Sequence, residues 1–187
     1  ILVKADVTRM AYKGFATIMS PLPGGAAYAN IGGSTIFAAI SGSSVANAAS
    51  VGTVAGLAMT EMGYNRRLTF GSIAAGGTLG ILMPPSTAMI IYGGMTGESI
   101  SDLFMAGVIP ALVLAGLYAL VVLVWGLLRP QDAPRDAKTP SASEMAGALV
   151  RLLPFLALIL VVLGGIYCGV FTPTEASGIG VMGALVI

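Results

Sequence analysis

Long uncharged, apolar runs alternate with short charged interruptions along this chain. No Asp, Glu, Lys or Arg occurs from Gly14 to Thr60, from Leu68 to Gly97, from Leu103 to Leu128 or from Leu152 to Thr174. Each run is at least as long as the ~20 residues a helix needs to cross ~30 Å of hydrocarbon. None shows the alternation of an outer-membrane strand, and glycine and proline inside the runs suit helices that pack closely and break in places. The pattern predicts an all-α polytopic membrane protein with at least four membrane segments.

Composition agrees, with 56% apolar residues, 9% charged residues and a mean hydropathy of +0.92, far from the soluble globular range. Twenty-six glycines and ten prolines fall largely within the runs. The single Cys168 allows no disulfide within these residues, and the absence of histidine argues against zinc or haem. No transition metal, organic cofactor or nucleic-acid partner is expected. A start at Ile1 without Met and an end at Ile187 in mid-run lead to the expectation that this is a stretch of a longer chain.

Charge gives a topology, because Lys and Arg of short loops collect on the cytoplasmic side. All nine basic residues fit one side: Lys4, Arg9 and Lys13 before the first run, Arg66 and Arg67 after it, and Arg129, Arg135, Lys138 and Arg151 around the loop between the third and fourth. Glu98, Asp102 and Glu175 fall on the other. The 47-residue first run must then leave the membrane on the side it entered, as a hairpin. Its arms, Gly25 to Ala39 and Val45 to Thr60, have 15 and 16 residues. At ~1.5 Å per residue each reaches roughly 23 Å, short of the hydrocarbon thickness.

The turn of that hairpin reads ISGSSVANAAS from Ile40 to Ser50. Backbone that leaves the helix at such depth is tolerated where protein buries it or where it lines a polar cavity. Either the small polar residues build a binding site, or they let two helices approach closely. In the second run, GTLGILMPPSTAM (Gly77 to Met89) sets Pro84 and Pro85 in mid-segment. Two prolines withhold amide hydrogens, freeing carbonyls near Gly80 and Ile81 and letting a new half-helix start at Ser86 with an exposed N-terminus. Carbonyls suit hard cations and helix N-termini suit anions; a kink without function is the alternative.

These residues resemble the large membrane subunit of tripartite ATP-independent periplasmic (TRAP) transporters. The resemblance rests on LPGG at Leu22, ISGSS at Ile40, MGYNRR at Met62, GTLGILMPPS at Gly77, LFMAGVIPAL at Leu103 and FTPTEA at Phe171, in that order. It implies a sodium-coupled, elevator-type secondary transporter of two inverted repeats in the cytoplasmic (inner) membrane of bacteria or archaea. Its implied partners are a periplasmic substrate-binding protein, a small membrane subunit, an organic acid such as a C4-dicarboxylate or sialic acid, and the lipid bilayer. These residues would hold the first hairpin and the start of the second repeat.

Under this resemblance sodium, the coupling ion, would lie between hairpin tip and helix break, held by Ser41, Gly42, Ser43, Ser44, Asn47, Gly77, Thr78, Gly80 and Ile81. The acid would sit nearby against Ser44, Asn47, Pro84, Pro85 and Ser86. The expected segments are an amphipathic interfacial arm helix (1–20), a re-entrant hairpin (21–60), a broken transmembrane helix (68–93), a transmembrane helix (107–128), a cytoplasmic linker (129–147), a transmembrane helix (148–170) and the start of another (171–187). Trp125 would anchor at the interface, and Thr174 would cap the last helix. An ATP-driven pump lacks its G-x-x-x-x-G-K-[ST] run here. An intramembrane serine protease using Ser41, Ser43 or Ser44 lacks a base between Lys13 and Glu61. A purely structural membrane subunit leaves both breaks unexplained, and no catalytic residue is expected.

The topology predicts that, with Cys168 replaced by Ser, a cysteine at Ser99 of the full-length protein reacts with impermeant maleimide in intact cells. A cysteine at Ser141 stays unlabelled until the membrane is opened, and the reverse pattern would refute the orientation.

Overall fold

The structure, a computed structural model, describes residues 7–134 and 140–186. Lys4, Arg135 and Lys138, with the remainder of the expected 1–20 arm and 129–147 linker that those residues occupy, lie outside them. Eight α-helices follow one another: α1 (Val7–Met19), α2 (Gly25–Ser41), α3 (Ser44–Glu61), α4 (Arg66–Leu82), α5 (Thr87–Thr96), α6 (Ile100–Leu128), α7 (Ala142–Tyr167) and α8 (Pro173–Val186). A single 3-10 turn, Pro130–Asp132, follows α6. No strand occurs among the described residues, and the chain is an all-α polytopic membrane protein.

Among the described residues, three stretches are long and apolar enough to cross a membrane: Arg66–Thr96, which joins α4 and α5 through the double proline, then Ile100–Leu128 and Ala142–Tyr167. At ~1.5 Å per residue the 29 residues of α6 exceed the bilayer core with room for tilt. Ile109, Leu112, Leu117, Leu120, Val124 and Leu127 point outward from α6, a surface suited to hydrocarbon. The first run forms the paired α2 and α3, of 17 and 18 residues. Both are longer than the sequence suggests but still reach only about 26 Å.

Several boundaries move outward because side-chain caps start helices before the apolar run begins. Ser99 accepts the amide of Asp102, so α6 starts seven residues before the expected Gly107. Ser141 and Glu144 form a reciprocal capping box that starts α7 within the expected linker. The last helix corrects an expectation: Pro173 takes the first helical position, which leaves the cap to Thr172 and not Thr174. The Thr172 hydroxyl accepts from the Glu175 amide at 3.3 Å, and the Glu175 carboxylate accepts the Thr172 amide at 2.9 Å.

The base of the hairpin gathers the glycine and arginine motifs. Gly24 of LPGG caps α2 in the left-handed region (φ 86°), and the next turn is held by the Ala26 amide donating to the Tyr64 hydroxyl of MGYNRR. Asp132 closes this end, accepting from Asn65 Nδ2 at 3.0 Å and Trp125 Nε1 at 3.1 Å. Trp125 is thus half-buried and tied to protein, with Arg129 over its ring. Lys13 and Arg151 line a cavity of about 750 Å³ beside Ala26 and Met62, and Arg67 and Arg129 line another, so these four basic residues collect at the hairpin base. Helix α1 packs on α2, α3 and α7, burying Tyr12 while Lys13 stays exposed.

Tight packing of α4 on the hairpin depends on small residues. A Cβ on Gly76 would lie 2.5 Å from Ser34 Oγ, one on Gly77 2.8 Å from Ala48 Cβ, and one on Gly80 2.6 Å from the Ser43 carbonyl oxygen. The last contact is with backbone, which cannot swing aside. Gly80→Ala should therefore destabilise the full-length protein by about 1–3 kcal/mol in thermal unfolding, the usual range for overpacking. Gly71, on the same helix with nothing within 4 Å of a new Cβ, provides the comparison. Gly71→Ala should be neutral or stabilise by up to about 1 kcal/mol; equal behaviour of the two variants would contradict the close approach at Gly80.

Candidate functional site

Four helix ends converge where the hairpin tip meets the break in the second run. Helix α2 ends at Ser41, Gly42 turns the chain in the left-handed region (φ 60°), and Ser43 starts α3 by accepting the Ala46 amide. Opposite, α4 ends at Leu82, and α5 starts at Thr87 after the Met83-Pro84-Pro85-Ser86 crossing, whose Pro84–Pro85 peptide is cis. The Thr87 amide donates to the Gly42 carbonyl at 3.2 Å, joining tip and break directly. A Cβ on Gly42 would fall 2.7 Å from the Pro85 carbonyl oxygen, so both the turn and the contact require glycine.

The break differs from the sequence expectation in two respects. The N-terminus of α5 is only partly free, since its first amide serves Gly42. The Ile81 carbonyl is not free: the fully buried Ser86 turns its hydroxyl back onto it at 2.5 Å, replacing the amide that Pro85 cannot offer. Ser86 is thereby committed to the break. Gly80 differs, because Pro84 has no amide to return to its carbonyl, and its backbone lies against the Ser43–Ser44 peptide.

Asn47 forms the next layer and is wholly buried. Its Nδ2 donates to the carbonyls of Ser34 and Gly76, each at 3.1 Å, tying α3 to both α2 and α4. Because both bonds go to carbonyls, the amide orientation is set by chemistry: the reverse would press oxygen against two oxygens. Asn47 Oδ1 is left buried without a partner, as are the hydroxyls of Ser34 and Ser41. Unmatched groups of this kind cost about 1–3 kcal/mol each when nothing satisfies them.

Of the residues expected at the site, Ser41, Gly42, Ser43, Ser44, Gly80 and Pro85 surround the junction, with Asn47 and Gly77 just behind it. Thr78 is turned away: its exposed hydroxyl bonds Tyr118 of α6 at 2.9 Å. Ile81 projects its side chain outward and offers a carbonyl already bonded to Ser86. Pro84 is fully buried beneath the tip. Ser34 and Gly76 went unnoticed in the sequence, although Asn30 and Ser34 lie four apart on one face of α2, a spacing that stacks polar groups in an apolar arm. Gly107 of α6 backs the break, a Cβ there meeting Leu82 O at 3.1 Å.

Among the described residues, no charged side chain contributes to this junction. It offers carbonyl ends from α2 and α4 and amide ends from α3 and α5, within one uncharged interior. Backbone carbonyls and neutral side-chain oxygens suit a hard monovalent cation, whereas helix N-termini favour an anion. Discontinuous helices that present both to one cleft are the usual architecture of secondary-transporter sites.

Known proteins are similar to this sequence. The chain is 40% identical over 121 residues to the C4-dicarboxylate TRAP transporter large permease protein DctM of Pseudomonas aeruginosa, covering 65% of this chain and 28% of that one. It is 35% identical over 174 residues to the isethionate TRAP transporter permease protein DctMQ of Oleidesulfovibrio alaskensis, covering 91% and 26%. It is 31% identical over 181 residues to the sialic acid TRAP transporter permease protein SiaT of Haemophilus influenzae, covering 97% and 29%. This chain therefore spans a little over a quarter of each of these relatives. The motifs that build the junction and the hairpin base fall within residues 3–187, the stretch that matches the tripartite ATP-independent periplasmic transporter, DctM component, and the chain belongs to that family of transport permeases, which are not enzymes.

Proposed function

We propose that this chain supplies half of the ion and substrate site of a sodium-coupled permease that takes up a small organic acid. The observation that carries the reading is the Gly42–Thr87 junction, where two helix C-termini and two helix N-termini meet in a neutral, backbone-lined interior. Sodium, as co-transported substrate, sits between tip and break. Its ligands come from Ser41, Gly42, Ser43 and Ser44, from the Gly80 carbonyl that Pro84 leaves without a helical amide, and from Asn47 Oδ1, with Gly77 allowing the approach of α3. Thr78 and Ile81 take no part, one facing α6 and the other spent on Ser86.

The acid's carboxylate lies on the open side of the same junction, against Ser44 and Pro85, both partly exposed, where the N-termini of α3 and α5 place their positive ends. Asn47, Pro84 and Ser86 support this surface from behind, since all three are fully buried. A second hairpin elsewhere in the permease closes the cleft. The relatives' names group C4-dicarboxylate, isethionate and sialic acid, all anionic and of different size. A site that recognises the acidic group through helix ends accommodates that range, leaving size selection to surfaces outside this chain.

Arms of about 26 Å, shorter than ~30 Å of hydrocarbon, support a tip that lies within the membrane as a re-entrant hairpin. With its base tied through Tyr64 and Asp132, the hairpin and α4–α5 move as one body in an elevator-type transition. The full permease resides in the cytoplasmic (inner) membrane, assembles with a small membrane subunit and receives its acid from a periplasmic binding protein.

Reconstitution tests this. Full-length permease with its small subunit in proteoliposomes should accumulate the acid only when sodium is outside and a loaded binding protein is present. Ser43→Ala should raise the sodium concentration for half-maximal uptake about tenfold, the equivalent of one lost ligand bond of ~1.4 kcal/mol. Sodium-independent uptake by the parent would overturn the reading.

A further inference from the structure

Below the tip, towards the hairpin base, a second uncharged polar cluster lies inside the α2–α3–α4 interface. Asn30 of α2 and Thr69 of α4 are fully buried, and Ser72 of α4 is 6% exposed. Asn30 Nδ2 donates to Ser72 Oγ at 2.7 Å and to Met59 Sδ at 3.1 Å, and Ser72 Oγ donates to the Thr69 carbonyl at 3.0 Å. Asn30 Oδ1 and Thr69 Oγ1 have no partner at all.

Both vacancies stand in the arrangement the cluster adopts. Reversing the Asn30 amide would set its oxygen against Met59 sulfur and leave two donors unmatched in place of one acceptor. Thr69 could donate its hydroxyl to the carbonyl four residues back, as Thr35, Thr60 and Thr96 do in this chain. Here the Asn65 carbonyl takes the Thr69 amide, and the Thr69 hydroxyl, turned away from it, is buried in the interface without a bond. Ser72 has spent its one proton and retains acceptor capacity. Two neutral oxygens with unused lone pairs, a third beside them and no carboxylate describe a site for a small monovalent cation.

We propose that Asn30, Thr69 and Ser72 form a second monovalent-cation site, separate from the tip. Asn30 is eleven residues from Ser41 along α2, which places the cluster roughly 16 Å from the tip. Between them lies the Asn47 layer, whose unmatched Asn47 Oδ1 and Ser34 Oγ continue the row of buried oxygens. Positions 30 and 34 on α2 and positions 72 and 76 on α4 are each four apart, so the two layers stack along one interface. The proposal rests on the sodium-coupled reading above and gives that ion a station between the tip and the end of the hairpin where the arginines gather.

Equilibrium binding of radioactive sodium to the purified full-length permease with its small subunit provides the test. Asn30→Leu combined with Thr69→Val should bind one sodium ion fewer than the parent at saturation. Thr69→Val alone, which removes one hydroxyl and keeps the side-chain volume, guards against misfolding of the double variant. It should weaken one class of sodium sites about tenfold while thermal unfolding in the absence of sodium stays near that of the parent. Unchanged stoichiometry and affinity in both would overturn the second site and assign the cluster to water. A parent that binds no sodium would instead refute the sodium-coupled reading itself, and the second site with it.

Discussion

The contact on which the rest of this structure depends is between two pieces of interrupted backbone: the hairpin tip at Gly42 and the helix break at Pro84–Pro85. Breaking a helix in an apolar interior exposes carbonyls and amides that no solvent satisfies. Here two breaks are set against each other, and part of the deficit cancels. The Thr87 amide goes to Gly42, Ser86 returns a hydroxyl to Ile81, and Ser43 caps α3. What remains is the unmatched Ser41 hydroxyl and Asn47 Oδ1, beside a Gly80 carbonyl that Pro84 gives no amide, a set of neutral oxygens that a cation can complete.

That contact dictates composition well away from it. Helix α4 reaches the hairpin because Gly76, Gly77 and Gly80 carry no side chain on the facing side, and α6 comes close to the break at Gly107. Asn47 then fastens all three layers through backbone carbonyls, so a side chain expected to serve as a ligand also holds the ligand-bearing segments in register. At the base, Tyr64 and Asp132 hold α2, α4 and the turn after α6 together. The tip is thus carried by a pair of helices fastened to each other and to α4 at both ends.

Much of this was legible in the sequence because the physics involved is local. Charge-free runs mark membrane helices, Pro-Pro marks the break, and a polar pentapeptide in an apolar run marks the tip. Helix starts were less legible: Ser99 and Ser141 begin helices through hydroxyl caps several residues before hydrophobicity rises, which apolar periodicity does not register, and in the last helix the cap falls to Thr172 in place of Thr174. The roles of Thr78, Ile81 and Ser86 depended on side-chain direction around an irregular crossing. Spacing alone could not show that Thr78 turns to Tyr118 or that Ser86 replaces a missing amide. The buried layer at Asn30, Thr69 and Ser72 draws on three helices and has no local signature beyond polar residues spaced three or four apart.

The central claim is that the double proline exists to keep tip and break in one ion-binding arrangement. Replacing Pro84 and Pro85 with Ala in the full-length permease permits an unbroken helix, favoured by about 3 kcal/mol per position in model hosts. It would draw the Gly80 carbonyl and the Thr87 amide into intrahelical bonds. The sodium-induced shift in thermal unfolding reads this directly, since a ligand that binds only the folded state stabilises it by mass action. The account predicts a variant at least as heat-resistant as the parent without sodium and with most of the sodium-induced shift lost. A variant that keeps the parent's full shift would contradict it and reduce the break to a kink.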